Sequence, residues 1–212
     1  MSMSAPAFTL DVRRQLLGQR LVDAAGGPAG YLADLELDAL DEPGVLPAVT
    51  ALLAEPLGPI PPRPEPAAAA DRLVDVLTGS PARIDLDLVA SLRPPVRLHV
   101  PAAELCPMPL GERVRDRLVL RVPLVRDLIG AVLVDDGERQ LGAVVDVRLV
   151  CEWRRGPDGP RVRMAALVIV PGPGAQQPDD PAGPVLLPWR EAVPIEAGRI
   201  GVDPAALVQL LG

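Results

Sequence analysis

The sequence predicts a mainly β protein built by duplication, and three observations carry that expectation. First, Arg126 to Leu149, RDLIGAVLVDDGERQLGAVVDVRL, reads as a strand, a tight turn at Asp135-Asp136-Gly137, and a returning strand interrupted by Gly142. Asp and Gly between two β-branched runs are the chemistry of a hairpin. Second, the same pattern occurs at Arg14 to Leu37, RQLLGQRLVDAAGGPAGYLADLEL. Third, the best apolar run, Ala165 to Val170, is strand length and far short of the ~18 residues of a membrane span.

In chain order, residues 1–11 read as a loose tail. The first hairpin follows, with strands at Gly18 to Val22 and Tyr31 to Leu37 joined through Gly26-Gly27-Pro28. Leu46 to Leu53 is an apolar run for which Pro47, Gly44 and Pro56 favour a strand over a short helix. Residues 56–70 are an extended Pro-rich connector, with five prolines between Pro59 and Pro66. Asp71 to Leu77 is expected to be a short helix, Ile84 to Val89 and Val96 to Val100 strands, and Pro101 to Leu105 a helical turn.

After Gly111, Arg113, Arg115 and Arg117 alternate with Val114, Asp116 and Leu118, the period of a strand with a charged face. The second hairpin runs on through Val150 to Trp153, and Gly156-Pro157-Asp158-Gly159 is a turn. Arg161 to Val170, Val185 to Trp189 and Arg199 to Val202 are strands, with a loop over Pro171 to Pro184. Asp203-Pro204 opens a terminal helix, Asp as N-cap and Pro at the first helical position.

Composition narrows the class. Nearly half of the 212 residues are hydrophobic, but one Phe, one Tyr and two Trp leave the core to Val, Leu, Ile and Ala. There is neither Lys nor Asn, and all 21 basic residues are Arg, a bias expected of a GC-rich genome. The net charge of −7 disfavours nucleic acid, whose binding rests on neutralising phosphates. The acidity sits in residues 1–110, with 8 Arg against 14 acids; residues 111–212 hold 13 against 14. Cys106 and Cys151 have neither metal nor redox spacing and are expected to be unpaired thiols in a reducing compartment. The N-terminal stretch lacks the apolar core of a signal peptide, so the expectation is a cytoplasmic protein with no membrane insertion.

A shift of 112 lays the first hairpin on the second without a gap. Arg14 meets Arg126, Leu16 meets Leu128, Gly18 meets Gly130, and Val22-Asp23 meets Val134-Asp135. Gly30 then meets Gly142, Asp34 meets Asp146, and Leu37 meets Leu149. A shift of 102 brings Arg97, Val100, Ala103 and Leu105 onto Arg199, Val202, Ala205 and Leu207, and sets Asp87 against Trp189.

The pattern of LxG, V-D before a turn and G-x-V-x-D on the return resembles the PRC-barrel. That is the small β-barrel named for the cytoplasmic part of the photosynthetic reaction centre H subunit. Its carriers here are Leu17-Gly18, Val22-Asp23, Gly30 and Asp34, then Ile129-Gly130, Val134-Asp135, Gly142 and Asp146. The resemblance implies two tandem PRC-type β-barrels with short helices. The first would span 1–110 with the Pro-rich insertion at 56–70, the second 111–212. It implies that the shared positions shape turns and strand contacts and that none is catalytic. The arrangement is also similar to paired barrels in soluble regions of some bacterial magnesium-transporter-like proteins. The second copy departs in lacking a counterpart of the Asp71 to Leu77 helix.

The chemistry-bearing residues read plainly. Asp135, Asp136 and Glu138 lack the spacing of a hard-cation loop and read as a turn. Asp23, Asp34 and Asp146 read as residues that cap turns or bond backbone amides. His99, the only histidine, alternates with Leu98 and Val100 and so points away from the apolar face; without a second His it makes no metal site. Ser80 and Ser91 lack a nucleophile elbow, and no phosphate loop occurs. Trp189 is expected in the core of the second copy. No enzyme activity, cofactor or metal is expected.

A binding surface is the better prospect. Arg113, Arg115 and Arg117 could line one strand face, with Trp153, Arg154, Arg155, Arg161 and Arg163 grouped about the Gly156 turn. Arg and Trp are favoured at protein interfaces; the plain alternative is a solvated face balanced by Glu112, Asp116, Glu152 and Asp158. The leading expectation is a non-enzymatic adaptor, assembly or regulatory factor. Its partner would be a protein, such as a membrane complex engaged at its cytoplasmic face, and self-association is compatible with it. A ribosome-maturation-type factor binding a ribosomal protein is the alternative from another class, and a small-ligand or ion sensor the third.

Overall fold

A computed structural model describes residues 7–38, 40, 45–55, 82–105, 123–153, 160–172, 183–196 and 198–203. The first half contributes strands β1 (Phe8–Asp11), β2 (Arg20–Val22), β3 (Pro28–Leu37), β4 (Val49–Glu55), β5 (Ala82–Asp85), β6 (Val89–Ser91) and β7 (Val96–Leu98). The second contributes β8 (Val132–Val134), β9 (Gln140–Trp153), β10 (Pro160–Pro171), β11 (Val185–Pro188), β12 (Ala192–Glu196) and β13 (Arg199–Val202). One sheet has six strands in the order β5-β4-β3-β2-β7-β6. The other has seven, in the order β11-β10-β9-β8-β13-β12 with β1 also on β9. The protein is mainly β, with short helical turns.

The chain forms two units, each assembled from separate segments. One takes Met1–Gln15, Leu35–Thr50 and Pro123–Gly212; the other takes Leu16–Asp34 and Ala51–Val122. The expected cut between residues 110 and 111 lies outside the described residues, as do the connector 56–70, the helix 71–77, Cys106, the turn at 156–159, the middle of the 171–184 loop and the helix after Asp203.

The duplication is visible bond by bond. Gly18 N–H donates to Leu32 O at 2.8 Å, and Gly130 N–H to Val144 O at 2.8 Å. Leu32 N–H donates to Gln19 O at 2.9 Å, and Val144 N–H to Ala131 O at 2.9 Å. Both glycines have positive φ, 74° and 91°, which explains why glycine stands at this point in each copy. Each hairpin turn closes on its aspartate: Asp23 N–H to Gly27 O at 2.9 Å, Asp135 N–H to Arg139 O at 3.1 Å.

The inward sides follow strand alternation. Val147, Leu149, Cys151, Val162, Met164, Leu167 and Ile169 are buried along β9 and β10, with Trp189 and Leu187 beside them in the same unit. Leu21, Leu32, Leu52, Ile84, Val96 and Leu98 fill the other unit. The expectation that Trp189 is a core residue matches its burial. Gly142 lies where β9 and β10 approach closely: a Cβ there would sit 2.5 Å from Val170 O.

Four expectations need correction. Residues 8–11 are not a loose tail but β1, antiparallel to β9 with Leu10 opposite Leu149. The stretch from Arg126, expected to open as a strand, begins with an α-helical turn at Val125–Leu128, and the first copy has a one-turn π-type helix at Val12–Leu16 ahead of its first hairpin strand. The expected strand at Ile84 to Val89 is broken by a 3-10 turn at Leu86–Leu88, and the one at Val185 to Trp189 stops at a 3-10 turn over Trp189–Glu191. Trp189 therefore corresponds to Leu86, not to Asp87.

The fourth is the late register. β2 and β7 run parallel with Leu21 opposite Val96, whereas β8 and β13 run parallel with Leu133 opposite Ile200. Since Leu21 and Leu133 are equivalent, Val96 matches Ile200 and Leu98 matches Val202, a shift of 104 rather than 102. A slip of two residues leaves every side chain on its own face of a strand, so the inside-outside pattern could not reveal it.

The segment leading into each copy is paired with the long strand of the other copy. β1 lies on β9; reciprocally, Leu124 bridges to Glu36, and Leu37 N–H donates to Pro123 O at 3.0 Å.

Candidate interaction surface

The face to consider is the outer side of β1, β9 and β10. Val162 and Met164 turn inward on β10, so Arg161 and Arg163 point outward and are exposed. Two residues along a strand separates them by about 7 Å. Arg161 is opposite Glu152 and Arg163 opposite Val150, while Val150 faces Thr9 on β1. Arg163 also bridges to Ala48 through the backbone, and Met164 N–H donates to Pro47 O at 2.8 Å. Arg163 thus has uncharged register neighbours on both sides, and among the described residues no carboxylate pairs with its exposed side chain.

The next row of the same face is neutralised. Arg148 Nε and Nη2 donate to Asp11 Oδ1 and Oδ2 at 2.6 and 2.9 Å, a two-pronged ion pair. Those hydrogen bonds, more than the nearby charge of Asp146, push the Arg148 pKa up and hold it cationic. One row further on, Asp146 is buried and capped from above: Oδ1 accepts from Arg13 N–H at 2.6 Å and Oδ2 from Arg14 N–H at 3.0 Å. These are first-turn amides of the Val12–Leu16 helix, which have no acceptor within it. Asp34, the equivalent residue, is also completely buried.

Of the residues expected at the surface, Arg113, Arg115, Arg117, Arg154 and Arg155 lie outside the described residues. Trp153 is placed by its backbone, ending β9 opposite Pro160. Arg161 and Arg163 are brought together on one face.

The acidic turns have their oxygens committed. Asp135 Oδ1 accepts from Gly137 N–H at 3.0 Å and Arg139 N–H at 2.8 Å, with Arg139 Nε on Oδ2 at 3.2 Å. Asp23 Oδ1 accepts from Ala25 and Gly27 N–H at 3.0 and 2.7 Å, and its Oδ2 from Ala102 N–H at 3.1 Å. Amide donation, led by Ala102 for Asp23 and by Arg139 for Asp135, lowers both pKa values. His99 is exposed just past β7, and Ser91 Oγ accepts from Arg93 N–H at 3.1 Å. Cys151 is a free, buried thiol whose pKa desolvation pushes up to about 12, which suits a packing residue. Among the described residues, no group of three His, Cys, Asp or Glu could hold a metal ion, and no helix is long and apolar enough to cross a membrane.

A second outward face carries residues that the sequence reading did not single out: Arg20, Tyr31 and Arg97 on the six-stranded sheet. The signal was present in the 112 shift, where Arg20 and Tyr31 replace Val132 and Ala143.

No protein-family model matches the chain, and no curated protein matches it either.

Proposed function

We propose that the chain is a non-enzymatic, cytoplasmic protein-binding module, an adaptor or assembly factor built on two tandem PRC-type barrels. The observation that carries this reading is the exposed Arg163, flanked in register by Val150 and Ala48 and accompanied by Arg161. Arg is among the residue types that dominate interface energetics. Here it is presented by paired strands, which hold it more firmly than a loop would. A protein partner offering carboxylates beside a small apolar patch fits this face, because Arg binds carboxylate through two parallel hydrogen bonds.

The test is affinity purification with chemical cross-linking and mass spectrometry, comparing the parent with an Arg161→Ser/Arg163→Ser variant. The expected result is one partner cross-linked near β10 and lost in the variant. Unchanged recovery would mean a merely solvated face. Ribosomal proteins as the retained partners would redirect the reading to ribosome maturation. A protein recovered alone, yet melting higher with a purified metabolite or metal, would replace it with a sensor.

A further inference from the structure

The two copies serve as internal controls for one another. Where the same fold position carries different chemistry, folding alone does not explain the difference. On the six-stranded sheet, Arg20 is opposite Tyr31, and Val22, two residues further on, is opposite Arg97. Leu21, Leu32, Val96 and Leu98 are buried, so the alternation puts Arg20, Tyr31 and Arg97 together on the outer face. Cross-strand and diagonal neighbours lie about 5–8 Å apart, close enough to be covered by one ligand segment. Tyr31 is 42% exposed, high for a large ring on a strand.

In the second copy the same positions hold Val132, Ala143 and Gly201, through the shifts of 112 and 104 established by strand pairing. The sheet thus forms with small, uncharged residues at all three sites. The further neighbour of Arg97 is Ser91, and among the described residues no carboxylate lies within ion-pair reach of Arg20 or Arg97. Among the described residues, therefore, two guanidiniums without a carboxylate partner stand beside an exposed tyrosine on this sheet, in the more acidic half of the sequence.

We propose that Arg20, Tyr31 and Arg97 form a second contact surface that binds a carboxylate-rich segment of a protein partner. The inference rests on the protein-binding reading above but uses a different sheet from Arg161 and Arg163. Arg offers paired donors to carboxylates, and Tyr adds a rigid, amphipathic contact at low entropic cost. A phosphate backbone offers the same charge, so the test separates the two.

The full chain is titrated by fluorescence anisotropy with a fluorescein-labelled polyglutamate peptide, and in parallel with a labelled single-stranded oligonucleotide of equal charge. The expected result is saturable peptide binding that weakens with salt. Replacing the trio by the other copy's residues, Arg20→Val/Tyr31→Ala/Arg97→Gly, should lower peptide affinity about tenfold or more while retaining the parent circular dichroism. Should that variant misfold, Arg20→Gln/Arg97→Gln keeps side-chain bulk and is expected to show the same loss. In an Arg161→Ser/Arg163→Ser background, which removes the other carboxylate-binding face, the trio variant should still lower the peptide's affinity about tenfold or more. Absence of peptide binding, peptide binding insensitive to both trio variants, or oligonucleotide binding as tight as the peptide's would each overturn the proposal.

Discussion

Arg148 and Asp11, paired in register across β9 and β1, lock the leading strand of one copy onto the long strand of the other. The pairing is two-pronged and partly buried, with side chains 32% and 18% exposed. It joins residues 137 apart, so it acts on topology rather than on local structure. A double-mutant cycle of Asp11→Asn and Arg148→Gln, read by urea denaturation, should show a coupling of about 1 kcal/mol. A coupling near zero would mean that backbone pairing alone holds β1.

Asp146 reinforces the same junction. Asp146→Ala strips three backbone N–H groups, those of Arg13, Arg14 and Val147, of a carboxylate acceptor and should cost about 2–3 kcal/mol. Asp146→Asn keeps one acceptor oxygen and should cost roughly half of that. Equal losses for the two variants in chemical denaturation would point to packing rather than capping.

Two backbone positions give opposite signs. Glu138 has φ 61°, at the point where the first copy has Gly26 with φ 85°. Glu138→Gly should stabilise the protein by about 0.5–1 kcal/mol, since the exposed contact of Glu138 with Arg199 contributes little. Gly142→Ala should destabilise it by about 2 kcal/mol or more, because the new methyl would meet the backbone at Val170. Thermal unfolding of both variants checks the pair.

Acid sensitivity follows from the turn aspartates. Asp23 and Asp135 have folded-state pKa values below the ordinary 3.8, so their stabilisation is fully present above that value. It fades as pH falls through the folded-state values, where the unfolded chain binds more protons. Melting temperature measured from neutral to strongly acidic pH should fall below about pH 4. Asp23→Asn/Asp135→Asn should flatten that fall; a parallel curve would exclude these two groups as its cause.

Much of the fold was legible because its signals are local. The Asp23 and Asp135 turns close within four residues, so their chemistry lies within one short stretch. The candidate surface was legible only in part. The sequence grouped Arg161 and Arg163 about the Gly156 turn, and burial of Val162 and Met164 in the structure turns both outward, but nothing in the spacing of Arg20, Tyr31 and Arg97 joined residues from three strands.

By itself, the sequence determined the hairpins, the duplication and the inward face of most strands, since turn chemistry and two-residue alternation act between near neighbours. Only the tertiary structure decided where β1 pairs, that Asp146 caps a helix 132 residues earlier, and that the late strands match at a shift of 104. Each depends on partners far apart in the chain. Four residues, Phe8–Asp11, have no local partner to reveal them as a strand, and a two-residue slip changes no side chain's face.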